Sequence, residues 1–395
     1  MEPEAMKNRK LLMIPGPIEF TPEVLRAMGL ATTSHLAGNF VQIFGEALRQ
    51  LREVFLCPSG QPFVVAGSGT LAMDMAAANL VEPGDRALVV NTGYFSDRFA
   101  AVLRRYGATV TEVRAPEIGT APAHEAVEEA LRGGGYKLIT VTHVDTSTGV
   151  LADVRGLAAI ARAHDALVVV DGVCAVAGEE MRQEEWGIDL ALTASQKAIG
   201  VPPGLAILVA GPRALEAFRK RHTPVANYYA DWTEWLPIME AYESGQGRYF
   251  ATPAVNLVWA LRVSLEQILA EGMEARFLRH RQLAHAFQEA MAALGLKLVP
   301  RSPEVTAHTM SAIYYPDGVD ASVLAHIQEG GVIVAGGLHP EIRARYFRVG
   351  HMGAVTPSDI LVTVGAIEQG LARAGYRFEP GTGVAAAQAS LLRTT

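Results

Sequence analysis

The chain has 395 residues, a formal net charge of −7, half of its residues hydrophobic and 19% charged. That apolar content excludes a disordered chain and suffices for two domains, or one large domain with a smaller one. A net-acidic chain has no bulk attraction for nucleic acid or anionic lipid, and no apolar run reaches the roughly 20 residues a bilayer requires.

The chain opens on MEPEAMKNRKLLMIPGP, where the run LLMI before Pro15-Gly16-Pro17 is too short for a secretory signal. The last residues, SLLRTT, match no retention or peroxisomal address, so a cytoplasmic protein is expected. Two cysteines, Cys57 and Cys174, cannot build a disulfide framework, and Cys174 in its apolar setting reads as inert and buried.

The strand PFVVA runs into Gly67-Ser68-Gly69-Thr70 and then the helical LAMDMAAANL. Glycines permit close backbone approach, and a helix N-terminus offers free N–H groups to a phosphate, although such a turn is weak evidence alone. RALVV is the next strand. Phe95, in NTGYFSDR, either stacks on an aromatic ligand or joins the core. DRFAAVLRRYG reads as a helix with Phe99, Leu103 and Tyr106 on one face and Gly107 as its C-terminal cap.

KLITVT leads into HVDTSTGV, a hydroxyl-rich turn that contains Thr146. Asp153 is placed to cap the helix VRGLAAIARAHD. Asp171 ends the apolar strand ALVVVD, where open α/β folds place ligand contacts; it is either a ligand group or an N-cap. Lys197, in TASQKAIGVPPG between two apolar strands, either snorkels from a loop or is a Schiff-base lysine activated by desolvation. Strands apolar on both faces and alternating with helices imply a mostly parallel sheet sandwiched by helices.

Residues 222–252, rich in aromatics and without clear period, read as a long functional or interface loop. Two helical stretches follow, then a small α+β domain in which Arg348 of YFRVGHMG suits capture of a carboxylate or lies at the surface. The expected organisation is an N-terminal segment 1–17, a large domain 18–270, a small domain 271–377 and a tail 378–395. His280 and His285 lack a metal-ligand spacing, no HExxH or CxxC occurs, and His35, His143, His339 and His351 read as hydrogen-bonding groups, so no metal is expected.

The order of these segments, from PGP at 15–17 to RVG at 348–350, resembles the class V aminotransferases of the fold-type I pyridoxal-phosphate enzymes. It looks most like the alanine–glyoxylate / serine–pyruvate branch. The resemblance implies an α/β fold with a mostly parallel seven-stranded sheet between helices and a small C-terminal α+β domain. It implies pyridoxal 5′-phosphate as cofactor and a homodimer with shared sites, and neither nucleic acid nor a membrane as partner.

Lys197 would then be the Schiff-base lysine and Asp171 the partner of the pyridinium nitrogen. Ser68, Gly69, Thr70 and Gln196 would hold the phosphate, Thr146 would hydrogen-bond near the ring and Phe95 would stack on it. Tyr249 and Thr252 of RYFATP would reach a neighbouring subunit's phosphate, Arg348 would take the substrate α-carboxylate, and Gly16 would line the substrate pocket. Two positions depart from the eukaryotic branch: Phe95 stands in place of tryptophan, and Thr70 in place of the histidine of Ser-Gly-His.

The implied reaction is ping-pong transfer of an amino group from alanine or serine to glyoxylate or pyruvate. A 2-aminoethylphosphonate–pyruvate aminotransferase would need extra cations. A cysteine desulfurase usually has histidine where this chain has Gln196. A non-catalytic subunit would have no need to bury Lys197 with Asp171, and a nicotinamide dehydrogenase lacks its GxGxxG turn.

Overall fold

The computed structural model describes residues 10–393. At its centre lies a seven-stranded sheet: β1 Gln61–Ala66, β2 Arg86–Asn91, β3 Thr109–Arg114, β4 Tyr136–Thr142, β5 Leu167–Asp171, β6 Leu190–Ala194 and β7 Leu205–Ala210. The spatial order is β1-β7-β6-β5-β4-β2-β3. Only β7 runs against its neighbours, and the remaining pairings are parallel. The central strands are apolar throughout because helices cover both faces, and every residue of β5, β6 and β7 is buried.

The edge strand β3, TVTEVR, escapes the inventory of apolar runs. All six of its residues are partly or fully exposed, so its polar side chains meet solvent and the run carries no continuous apolar signal.

Helices α1 Gly69–Leu80, α2 Tyr94–Arg105 and α3 Val154–Ala163 connect the strands. Asp153 caps α3 by accepting from Gly156 N–H at 3.0 Å. The segment 222–252 is not wholly a loop. It contains helix α4, Trp232–Glu243, started by Asp231, which accepts from Thr233 N–H at 2.7 Å. Trp232, Trp235, Met239 and Tyr242 recur every three to four residues and are all buried. Pro237 hides this helix in the sequence, since an interior proline costs about 3 kcal/mol, but burial of that aromatic face outweighs it.

Helices α5 Val255–Glu271 and α6 Met273–Ala293 are separated by Gly272, whose φ of +83° breaks the helix. Along α6, Met273 and Phe277 join the large core while Leu283, Phe287 and Met291 join a second core. That second core belongs to an antiparallel sheet of β8 Met310–Tyr314, β9 Ala335–Gly336 and β10 Tyr346–Gly350, backed by α7 Pro357–Arg373.

The N-terminal segment is partly built into this small domain. Leu11–Leu12 pair in parallel with Val332–Ile333, and Met13 is buried in the second core, because the LLMI run needs apolar cover. Residues 378–393 do not form a free tail either. They include α8, Thr382–Arg393, which packs on α6 and α7, with Ala387 fully buried. Its first turn is capped by Glu368, which accepts from Gly383 N–H at 2.7 Å and Val384 N–H at 3.1 Å. Residues 1–9 and 394–395 lie outside the described residues. Among the described residues no helix is long and apolar enough to cross a membrane.

Candidate active site

A cavity of about 180 Å³ opens where the β1–α1 turn, the start of α2, the turn after β4, the end of β5 and the β6–β7 loop converge. It is lined by Gly16, Ser68, Gly69, Thr70, Phe95, Thr146, Asp171, Gln196 and Lys197, residues scattered over 180 positions of sequence. Val144, Val173, Cys174, Met73 and Arg98 complete the wall. A larger cavity of about 450 Å³ is lined by His143, Glu179 and His308 but contains no lysine.

Lys197 follows β6 and is 8% exposed. Its Nζ donates to the Pro15 carbonyl. Burial holds the amine below the usual lysine range; Cys174 opposes this, the nearby Arg348 guanidinium adds to it, and Asp171 opposes it. Gly16 makes the approach possible: a Cβ there would lie 2.6 Å from Lys197 Cδ and 2.8 Å from Nζ, and its φ is +104°.

Asp171, at the buried end of β5, accepts from Val173 N–H at 3.0 Å. Burial raises its carboxyl to about 7, and the buried Asp145 carboxylate reinforces the shift. Burial thus acts on both groups against their charged forms, lowering the proton affinity of the amine and raising that of the carboxyl. Cys174, also on the wall, is buried as expected, and burial raises its thiol, which stays protonated.

At one end of the cavity, Ser68 is the residue preceding α1, yet its side chain makes no capping bond. The first N–H groups of α1 are thus left without a side-chain acceptor, and the amide oxygen of Gln196 is buried without a partner. Gly69 permits this close packing, because a Cβ there would meet Val173 Cγ2 at 2.9 Å. An oxyanion with several acceptor oxygens fits the free N–H groups, and the Gln196 amide can meet it only through its NH2 group, since its oxygen is itself an acceptor.

At the other end Arg348, on β10, donates from Nη1 to the Thr146 carbonyl at 3.2 Å and from Nε to the Gly336 carbonyl at 2.8 Å. Strand β9 and the turn after β4 thus hold the guanidinium; Arg348 is not among the residues lining the cavity but lies behind Thr146, which is, and from there it can take a carboxylate. Tyr249 and Thr252 do not line this cavity. Both are exposed, Tyr249 by 62%, with its ring 5.3 Å from that of His35.

Two supporting residues carry no sequence signal of their own. Asp145 is fully buried. One of its oxygens accepts from Phe95 N–H at 3.1 Å and Ser96 N–H at 3.4 Å, and the other from Ser147 N–H at 2.9 Å and Ser147 Oγ at 2.6 Å. It fixes the first turn of α2, and with it the Phe95 ring. Asp145→Ala should destabilise the protein by about 3 kcal/mol in urea unfolding, because several buried donors lose their acceptor. A loss below about 0.5 kcal/mol would show that water replaces the carboxylate.

Arg276, on α6, is the second. It donates from Nη2 to the Ala198 carbonyl at 2.8 Å and from Nε to the Ala177 carbonyl at 2.7 Å, tying together the loops that follow Lys197 and Asp171. His280, one turn further, cross-links the same region: Gly353 N–H donates to its Nε2 at 3.0 Å, so its Nδ1–H donates to the Arg276 carbonyl at 2.7 Å.

The comparisons agree with this geometry. The family model for aminotransferase class-V matches residues 23–354. The chain is 42% identical to alanine–glyoxylate aminotransferase 1 of Saccharomyces cerevisiae, over 88% of this chain and 93% of that protein. It is 34% identical to an L-aspartate–glyoxylate aminotransferase of Paracoccus denitrificans, over 99% and 98%. It is 31% identical to a serine–glyoxylate aminotransferase of Methylorubrum extorquens, over 97% and 96%. Among solved structures, ureidoglycine–glyoxylate aminotransferase of Bacillus subtilis superposes with a TM-score of 0.89 at 27% identity, covering 96% of this chain and 97% of that one. A match that runs through both domains and the whole cavity leaves one conclusion: the chain belongs to the class-V aminotransferases, pyridoxal-phosphate-dependent transaminases of fold type I.

Proposed function

We propose that the chain transfers the amino group of a small amino acid, alanine or serine, to glyoxylate or pyruvate, with pyridoxal 5′-phosphate bound between Lys197 and Asp171. The observation that carries this reading is that a buried lysine and a buried carboxyl line one cavity together with the start of α1. The residues fit the cofactor: uncapped N–H groups on α1 and the NH2 group of the Gln196 amide suit its phosphate, and Asp171 suits its ring nitrogen.

When bound, the cofactor supplies an electron-withdrawing ring that stabilises negative charge at the substrate α-carbon. The chain's own residues do the rest. Asp171 holds a proton on the ring nitrogen. Lys197 Nζ, with its affinity for protons reduced by burial, would take the proton from the α-carbon and deliver it to the carbon on the far side of the amino nitrogen. Arg348 and the Thr146 loop hold the α-carboxylate, and Phe95 keeps the ring flat against the α2 turn. Donor and acceptor use the same groups in turn, which makes the kinetics ping-pong.

Glyoxylate as acceptor is supported by its recurrence in the names of all four relatives, whose donors differ. A phosphonate donor would require further cations beside Arg348, and the basic side chains lining the cavity are Lys197 and Arg98, the latter at the phosphate turn. The experiment is visible absorbance of the cofactor-loaded protein with L-alanine, L-serine or L-aspartate, then glyoxylate. A band that bleaches with alanine or serine and returns with glyoxylate is the expected result. A band unmoved by either donor would remove the substrate reading.

A homodimer belongs to the same proposal. Leu36, Tyr228 and Tyr249 are 50%, 74% and 62% exposed, too apolar for three neighbouring segments that face only water. A second copy would cover them and bring Tyr249 and Thr252 to the other site's phosphate. Sedimentation that finds only monomer at micromolar concentration would rule this out.

A further inference from the structure

The groups assigned to the phosphate so far are all neutral: backbone N–H groups, the hydroxyls of Ser68 and Thr70, and the Gln196 amide. A phosphate dianion held at the partly exposed start of α1 is bound more firmly with a countercharge as well as donors. Lys197 is committed to the Pro15 end of the cavity. The remaining cation on the wall is Arg98.

Arg98 lies on α2, one turn after Tyr94 and Phe95. Its guanidinium carbon sits 4.9 Å from the centroid of the Phe95 ring and 5.2 Å from that of Tyr94. Nη1 donates to Thr70 Oγ1 at 3.0 Å and Nη2 to the Tyr94 hydroxyl at 3.3 Å. Its hydrogen-bond partners are thus neutral hydroxyls. The adjacent carboxylate, Asp97, is engaged elsewhere, with Arg114 at 2.8 Å and Asn91 at 2.9 Å.

We propose that Arg98 is a phosphate ligand of the cofactor site, a fixed guanidinium that neutralises the anion at the start of α1. The inference rests on the pyridoxal-phosphate reading above and adds a residue and a charge to it. Thr70 accepts from Arg98, which leaves the threonine's own O–H free to donate to the same anion. The two rings hold the guanidinium in place before the anion arrives, so little side-chain freedom is lost on binding. Its field also reaches Asp171, where it acts to lower the carboxyl.

The test compares two ligands that differ only in the phosphate. Full-length protein freed of cofactor is titrated with pyridoxal phosphate and with pyridoxal, followed by absorbance, for wild type, Arg98→Gln and Arg98→Lys. Arg98→Gln should weaken pyridoxal phosphate by about 10- to 100-fold and leave pyridoxal unchanged, with Arg98→Lys in between. Wild-type affinity for the phosphorylated ligand should also fall more steeply with salt than that of the Gln variant.

Equal losses for both ligands would mean that Arg98 acts through the Phe95 ring or the fold, and would overturn the proposal. So would an Arg98→Gln protein that binds pyridoxal phosphate as tightly as wild type. Wild-type protein that takes up no pyridoxal phosphate would instead overturn the cofactor reading, and this inference with it.

Discussion

Lys197→Ala should reduce turnover of alanine with glyoxylate by about 10⁴-fold or more, because one side chain both carries the cofactor and moves the proton. The geometry leaves no substitute. Of the other groups lining the cavity, Cys174 is held protonated by burial, and Asp171 is the group that would face the ring nitrogen. Lys197→Arg should not recover activity, since guanidinium stays charged and cannot accept a proton. The substitution removes a buried amine and leaves only the Pro15 carbonyl without its donor, so the fold should survive. Small primary amines added to Lys197→Ala should restore part of the rate, as a free base enters the space the side chain vacates. Steady-state rates with and without added methylamine decide the matter. An alanine variant at full turnover would remove Lys197 from the chemistry.

Much of this site is legible in the sequence because it lies at strand ends. Asp171 closes an unbroken apolar strand and Lys197 sits between two of them, and a charged residue in such a place must be paired or used. Gly69 is legible for a related reason, as a glycine in a turn where a backbone must come close, whereas Gly16 is placed by the family resemblance. What escaped is what depends on distant partners. Arg98 lies on a helix face that sequence alone shows only as polar, and it becomes significant when Thr70 and the cavity appear beside it. Asp145 is one more polar residue in a hydroxyl-rich turn until four hydrogen bonds from three other residues converge on it. Arg276 reads as a surface residue of a charged helix, although two carbonyls of the catalytic loops hold it in the interior. The fold shows the same division. Fully covered strands announce themselves, whereas the edge strand β3 and the proline-containing α4 depend on neighbours for their character.

Asp171→Asn should separate function from stability at a single atom. The asparagine can keep the hydrogen bond from Val173 N–H but cannot hold negative charge against a ring nitrogen. Loss of that charge should lower turnover by about 10²- to 10³-fold, the scale of one misplaced electrostatic partner in a closed site. In the cofactor-free protein the same charge is a burden. The folded carboxyl titrates at about 7, against an ordinary value of 3.8. Below 3.8 it is neutral whether folded or unfolded and carries no penalty. Between the two values folding takes up a proton, and above about 7 the full penalty, on the order of 4 kcal/mol, is present. Stability from this group is therefore lost as pH rises towards 7, and the asparagine variant lacks that slope. Urea unfolding of the cofactor-free proteins at pH 5.5 and pH 8 should show the variant's advantage growing by about 2 kcal/mol. A difference that does not change with pH would mean that Asp171 is ionised throughout, and that the raised proton affinity does not prepare it for the ring. A variant that gains stability at pH 8 while losing turnover would show a buried acid retained for its chemistry against the preference of the fold.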